Sequence, residues 1–131
     1  KRGCHMERTL IINGQLDSLN EYTRACRRNR YAGAKMKADN EAIISMYIGM
    51  QMKDLHFPGK VTLNFRWYEP NRRRDMDNIA FAKKFILDAL VCAEVIIADS
   101  WKCVTGFTDE FFVDKEFPRI EVTIKGVETD D

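Results

Sequence analysis

Apolar and polar residues alternate most cleanly between Val61 and Tyr68, where Val61, Leu63, Phe65 and Trp67 stand against Thr62, Asn64, Arg66 and Tyr68. A period of two predicts a strand with one buried face. Glu69-Pro70 ends it, because proline cannot donate to a ladder. Ile120, Val122 and Ile124 alternate with Glu121 and Thr123 in the same way and predict a strand over Arg119–Lys125. Thr9-Leu10-Ile11-Ile12, closed by Asn13-Gly14, predicts a short first strand within Glu7–Asn13. Trp101–Phe107 and Phe111–Val113 read as one further strand interrupted by a bulge or turn.

Between the strands the period lengthens. Ser18-Leu19-Asn20-Glu21 places Ser and Glu three apart, the pattern of a capping box, so a helix starts there. Its pattern weakens around Arg30–Gly33. From Ala34 to Met52, the positions Met36, Ile43 or Ile44, Tyr47, and Met50 or Gln51 recur every three to four residues and predict a helix with one core-facing stripe. Asp77–Ala93 carries a second stripe at Ile79, Ala82, Phe85 or Ile86, and Ala89 or Leu90. The order is β-α-β-α-β-β. It predicts a single α+β domain over residues 1–131, with a small mixed sheet and two long helices. Lys1–His5 reads as a vector-derived leader ahead of a native start at Met6, and residues 127–131 as a frayed acidic tail.

Composition narrows the class. With 131 residues, 45% of them hydrophobic and 31% charged, the chain can bury a real core. The net charge is only +1, but residues 1–37 hold nine basic against three acidic side chains, and residues 94–131 hold four against ten. That asymmetry fits either a basic face for a polyanion or a dipolar solvated surface. The four cysteines form no CxxC pair and the two histidines lie far from metal-ligand spacing, which argues against zinc. Their scatter suits a reduced, cytoplasmic protein. No apolar run approaches a membrane span, and none resembles a signal-peptide core.

The chemistry concentrates in Arg72-Arg73-Arg74-Asp75-Met76-Asp77-Asn78, at the end of a predicted strand and the entrance to a helix. Carboxylates beside arginines suit a hard divalent cation held against a phosphate, because Mg²⁺ takes one or two carboxylates and completes its shell with water and phosphate oxygen. The arginines would also relieve the mutual repulsion of converging carboxylates. Against this, Asp77 is a good helix cap, Asp99 suits a turn, and Lys84–Asp88 reads as an ordinary i,i+4 surface pair. Arg24, Arg27, Arg28, Arg30, Lys35 and Lys37 fall in a stretch from Tyr22 to Lys37 without a single acid, with Tyr22 and Tyr31 on either side of its four arginines. Such a stretch suits phosphate contact and base stacking.

Taken jointly, Arg72–Asn78, Lys84-Phe85-Ile86-Leu87-Asp88-Ala89-Leu90 and Asp99-Ser100 resemble the RusA family of phage-type Holliday junction resolvases. Leu19-Asn20-Glu21-Tyr22 and Ala32–Lys37 resemble the N-terminal half of versions found in Gram-positive phages and prophages. The similarity spans about Leu16–Ile124. It implies a homodimeric endonuclease that cuts four-way DNA junctions by paired nicks, with Mg²⁺ as cofactor and Mn²⁺ as a substitute. By position, Asp75, Asp77 and Asp99 match the metal-binding carboxylates, and Lys84 matches the essential lysine. Arg72, Arg73 and Arg74, with the basic stretch Arg24–Lys37, would bind DNA.

Two departures stand out. The gap between Asp77-Asn78 and the lysine is longer than in the best-known members, so Lys83 remains an alternative to Lys84. Ala98 stands where the family often has another Asp, which removes a fourth carboxylate. The competing functional readings are a non-catalytic junction-binding protein of the same fold, and an interaction module in which the motif is only caps and surface ion pairs.

Overall fold

The computed structural model of the chain describes residues 6–127, so the leader reading of Lys1–His5 and most of the acidic tail fall outside the described residues. The elements are β1 (Glu7–Asn13), α1 (Leu19–Arg28), α2 (Arg30–Gln51), β2 (Val61–Glu69), α3 (Met76–Ala80), α4 (Lys83–Cys92), β3 (Val104–Val113) and β4 (Arg119–Gly126). The expected α+β order is therefore present.

The four strands form one mixed sheet in the order β1-β4-β2-β3. β2 pairs parallel with β3, whereas β4 runs antiparallel to both β1 and β2. The alternation read from the sequence sets the inner face. Leu63, Phe65 and Trp67 of β2 lie opposite Ile124, Val122 and Ile120 of β4. All six are buried, together with Leu10 and Ile12 of β1. Ile44, Ile48 and Met52 of α2 and Phe85, Ile86 and Leu90 of α4 complete this core, giving two layers. The opposite face carries polar cross-strand pairs, such as the Thr9–Thr123 hydroxyl contact at 2.9 Å and the Asn64–Thr108 bond at 2.8 Å, and one aromatic pair, Tyr68 stacked on Phe112 at 4.8 Å.

The edge strand β1 is covered by a side chain. Gln51, at the end of α2, accepts from the Ile11 N–H and donates to the Ile11 carbonyl, both at 2.8 Å. Its amide occupies the hydrogen-bonding positions that a neighbouring strand would take.

Three expectations are corrected. The chain does not lose helix over Arg30–Gly33. The break is Asn29 alone, whose extended backbone ends α1 while its side-chain oxygen accepts the Ala32 N–H at 2.7 Å and starts α2. Gly33 is helical and buried. A Cβ there would sit 2.6 Å from the Cys26 Sγ, so the glycine marks the close approach of α1 and α2.

The second long helix, expected over Asp77–Ala93, is two helices. At Phe81–Ala82 the bonding tightens to three residues, with Ala82 N–H to Ile79 O at 3.2 Å and Lys84 N–H to Phe81 O at 3.0 Å. The tight turn sets Phe81 and Phe85 edge to face at 5.4 Å, with Tyr22 of α1 5.3 Å from Phe81.

The third correction concerns β3, which is continuous through Thr108-Asp109-Glu110, while Trp101–Cys103 form the turn before it. The polar triplet remains in the strand because Asp109 and Glu110 find cationic partners in Lys83 and Arg66. The expected irregularity lies nearer the start, where Val61 pairs with Val104 but Thr62 pairs with Gly106.

Candidate metal and nucleic-acid site

The end of β2 and the start of α3 are pinned by Arg74. Its guanidinium forks onto the buried Glu69 carboxylate at 3.0 and 2.8 Å and donates to the Leu16 carbonyl at 2.9 Å. Gln15 donates to the same carboxylate at 2.8 Å. Arg74 is thus occupied in holding the loop to the strand and does not share the exposure of Arg72 and Arg73. Asn78 adds a second tie, accepting the Asn20 N–H at 3.0 Å and so joining α3 to the start of α1.

On this fixed loop Asp75 and Asp77 are both exposed. Asp75 occupies the cap position of α3, yet its side chain makes no capping bond. The Asp77 carboxylate accepts the N–H of the next residue, Asn78, at 2.9 Å. Neither carboxylate has an ion-pair partner among the described residues. Capping therefore does not account for Asp75, while Asp77 satisfies one N–H of the first turn of α3 and keeps its other oxygen without a protein partner among the described residues.

The two adjacent lysines diverge. Lys83 is only 14% exposed and lies 2.6 Å from Asp109 of β3. Its ammonium sits 4.1 Å from the centre of the Phe107 ring, and the same Asp109 accepts the Trp67 indole N–H at 2.8 Å. Lys84 is 58% exposed and points the other way, 3.4 Å from Asp88 and 3.9 Å from Asp99. The lysine that faces the closing aspartate is therefore Lys84. Asp88 is shared with Lys37 of α2 at 3.1 Å. Lys37 also bonds Glu41, and this bond, assisted by Asp88, raises its ammonium above the ordinary lysine value despite partial burial.

The basic stretch divides in the same manner. Arg24, Arg27, Arg28 and Arg30 are exposed, with no carboxylate partner among the described residues. Lys35 makes an i,i+4 pair with Asp39 at 2.9 Å, and Lys37 is turned toward Glu41 and Asp88. Arg72 and Arg73 are exposed beside the carboxylates.

Among the described residues, no three Asp, Glu, His or Cys side chains are gathered closely enough to hold a metal ion as they lie. The expected convergence of Asp75, Asp77 and Asp99 into one three-carboxylate cage is thus not present in this conformation. The donor set nonetheless suits Mg²⁺, since two hard, exposed carboxylates without a cationic partner among the described residues stand two residues apart and the ion retains waters in the rest of its shell.

Beside Asp75 opens a cleft of about 400 Å³, with Arg72, Asp75 and Met76 on one wall and Phe111, Phe112 and Val113 of β3 on the other. The sequence reading missed this second wall. Its signal was an apolar run at the C-terminal end of a strand, but the parallel pairing that carries it beside Asp75 cannot be read from sequence.

Among the described residues no helix is long and apolar enough to cross a membrane. A protein-family model for the endodeoxyribonuclease RusA matches residues 7–125. No curated protein matches the chain.

Proposed function

Because the chain belongs to the RusA endodeoxyribonuclease family, we propose that it is a Mg²⁺-dependent, structure-selective endonuclease that resolves four-way DNA junctions by paired symmetric nicks. The observation that carries this reading is the state of Asp75 and Asp77, which stay exposed and unpaired although three arginines adjoin them. Carboxylates kept out of such pairs are available to a cation.

In this reading Asp75, Asp77 and Asp99 hold the metal. When bound, the ion supplies charge neutralisation at the phosphate and a lowered pKa for water. The remaining work falls to the chain. Lys84, beside Asp99, presents an ammonium to the charge that grows on the phosphate oxygens during hydrolysis. Arg72 and Arg73 bind the phosphates that flank the cut, and Arg24, Arg27, Arg28 and Arg30 hold a neighbouring arm through its backbone. Water adds to phosphorus and the 3′-oxygen leaves, which gives a 5′-phosphate and a 3′-hydroxyl. A homodimer with two sites fits the two-fold symmetry of a junction and its two cuts.

The test is a nicking assay on a labelled four-way junction beside a linear duplex of the same arms, with Mg²⁺ and with EDTA. Symmetric cuts on the junction alone, lost in EDTA, are the expected result. Asp77→Ala should abolish cutting and spare junction binding; a variant that cuts at the wild-type rate would remove Asp77 from the metal site. A second reading, a junction-binding protein without catalysis, is favoured by the absence of a gathered carboxylate trio among the described residues. Tight junction binding with no cut under Mg²⁺ or Mn²⁺ would select it.

A further inference from the structure

The chain has two tryptophans. Trp67 is 1% exposed in the core, whereas Trp101 is 97% exposed. An indole standing almost wholly in water is unusual, because its apolar area is large and is mostly buried in folded proteins.

The turn that carries Trp101 is tied at both ends. The N–H groups of Cys103 and Val104 donate to the Ser100 carbonyl at 3.0 and 2.8 Å, and the Cys103 carbonyl accepts the Val61 N–H at 2.8 Å. Upstream, Val95 and Ile96 are buried, and the Val95 carbonyl accepts the Phe57 N–H at 2.8 Å. The indole is therefore presented on an anchored turn. Asp99, which pairs with Lys84 at 3.9 Å, precedes it by two residues, and the exposed Lys102 follows it directly.

We propose that Trp101 is a stacking platform for a nucleobase at the branch point of the DNA, next to the scissile phosphate, with Lys102 on the adjoining backbone phosphate. The inference rests on the endonuclease reading given above and extends it to the choice of substrate. Aromatic side chains interleaved with basic ones bind unpaired or unstacked bases through their π-faces, with little regard to sequence. The interior of a linear duplex offers no free face, since each base pair is stacked on both sides. A branch point interrupts stacking and exposes one. An indole carried on an anchored turn two residues beyond Asp99 thus selects branched over linear DNA by shape.

Because Trp67 is buried, accessibility of the indole emission to acrylamide reports Trp101. The experiment titrates the full chain carrying Asp77→Asn with an uncut four-way junction, and separately with a linear duplex of the same arms. The junction is expected to quench the emission and to reduce acrylamide access several-fold, the duplex far less. Trp101→Ala should weaken junction binding by about tenfold or more, with Trp101→Phe recovering most of the loss and duplex binding little changed. In the nicking assay the Trp101→Ala deficit should fall on KM more than on kcat. The side chain is exposed, so its removal should leave the melting temperature in place.

A junction that binds with emission and acrylamide access unaltered would overturn the proposal, as would a Trp101→Ala variant that binds like the parent. Protection that develops without DNA as protein concentration rises would also overturn it and assign Trp101 to a contact between copies. Failure of the endonuclease reading looks different: the wild-type chain would leave the junction intact in Mg²⁺ while the indole is still quenched. A chain that binds no junction at all overturns both.

Discussion

Lys83 and Lys84 are adjacent, chemically identical and about 100° apart on one helical turn. That rotation sends one to Asp109 beneath the Phe107 ring and the other to the exposed edge beside Asp99. Their substitutions should separate cleanly. Lys83→Met leaves Asp109 half-buried with only the Trp67 indole N–H, which should cost about 2–3 kcal/mol of stability, read as a shift in the urea midpoint. Lys84→Met removes an exposed ammonium in a weak pair and should leave the midpoint within about 0.5 kcal/mol of wild type. The same change should lower the nicking rate about 100-fold or more, the usual effect of losing a donor aimed at developing charge. If Lys83→Met instead abolishes nicking without destabilising the fold, the two roles are reversed. The sequence held both lysines open because spacing along a helix says nothing about which neighbour a side chain will meet.

At the scale of elements, local signals and tertiary packing part company at glycines and at helix breaks. The capping box at Ser18 and Glu21 was legible and forms, with both reciprocal bonds made. Gly33 read as a weak point in the helical pattern, but in the fold it permits the contact with Cys26 that joins α1 to α2. Gly33→Ala should therefore destabilise by about 1 kcal/mol or less, because the Sγ it meets ends an exposed side chain that can turn away and alanine is the better helix former. Cys26→Ala in the same chain should restore most of the loss by removing the Sγ that the new methyl meets. Thermal melts of the two single variants and the double variant close the cycle, and additive losses would refute the contact. The break at Phe81–Ala82 left no comparable mark, because the stripe from Ile79 to Leu90 keeps a helical period across it. Only the packing of Phe81 and Phe85 with Tyr22 tightens the turn there.

For the whole molecule, the charge asymmetry between the two ends of the chain becomes a division between committed and uncommitted cations. Arg74 was grouped by sequence with Arg72 and Arg73, yet it is bonded to buried Glu69. Arg74→Ala should strand that carboxylate and cost about 3 kcal/mol. Arg72→Ala should leave the melting temperature in place and reduce the slope of log affinity against log salt for junction DNA by about 0.9. Fluorescence titrations at several salt concentrations, beside melts, test both statements. An Arg72→Ala slope equal to wild type would remove this arginine from the phosphate contacts.

The sequence by itself determined the α+β class, three strands close to their bounds, the start of α1, and the carboxylate-arginine motif by which the family is recognised. These are local matters, since period, caps and short motifs act between residues a few positions apart. The tertiary structure alone decided the sheet order β1-β4-β2-β3, the choice between Lys83 and Lys84 as the neighbour of Asp99, and the withdrawal of Arg74 into the loop. It also decided the exposure of Trp101, which the sequence had assigned to a strand. Each of these depends on contacts between residues distant in the chain, such as Asp109 with Lys83 and Leu16 with Arg74. A side chain's partner is set by how layers pack, and no local period encodes that.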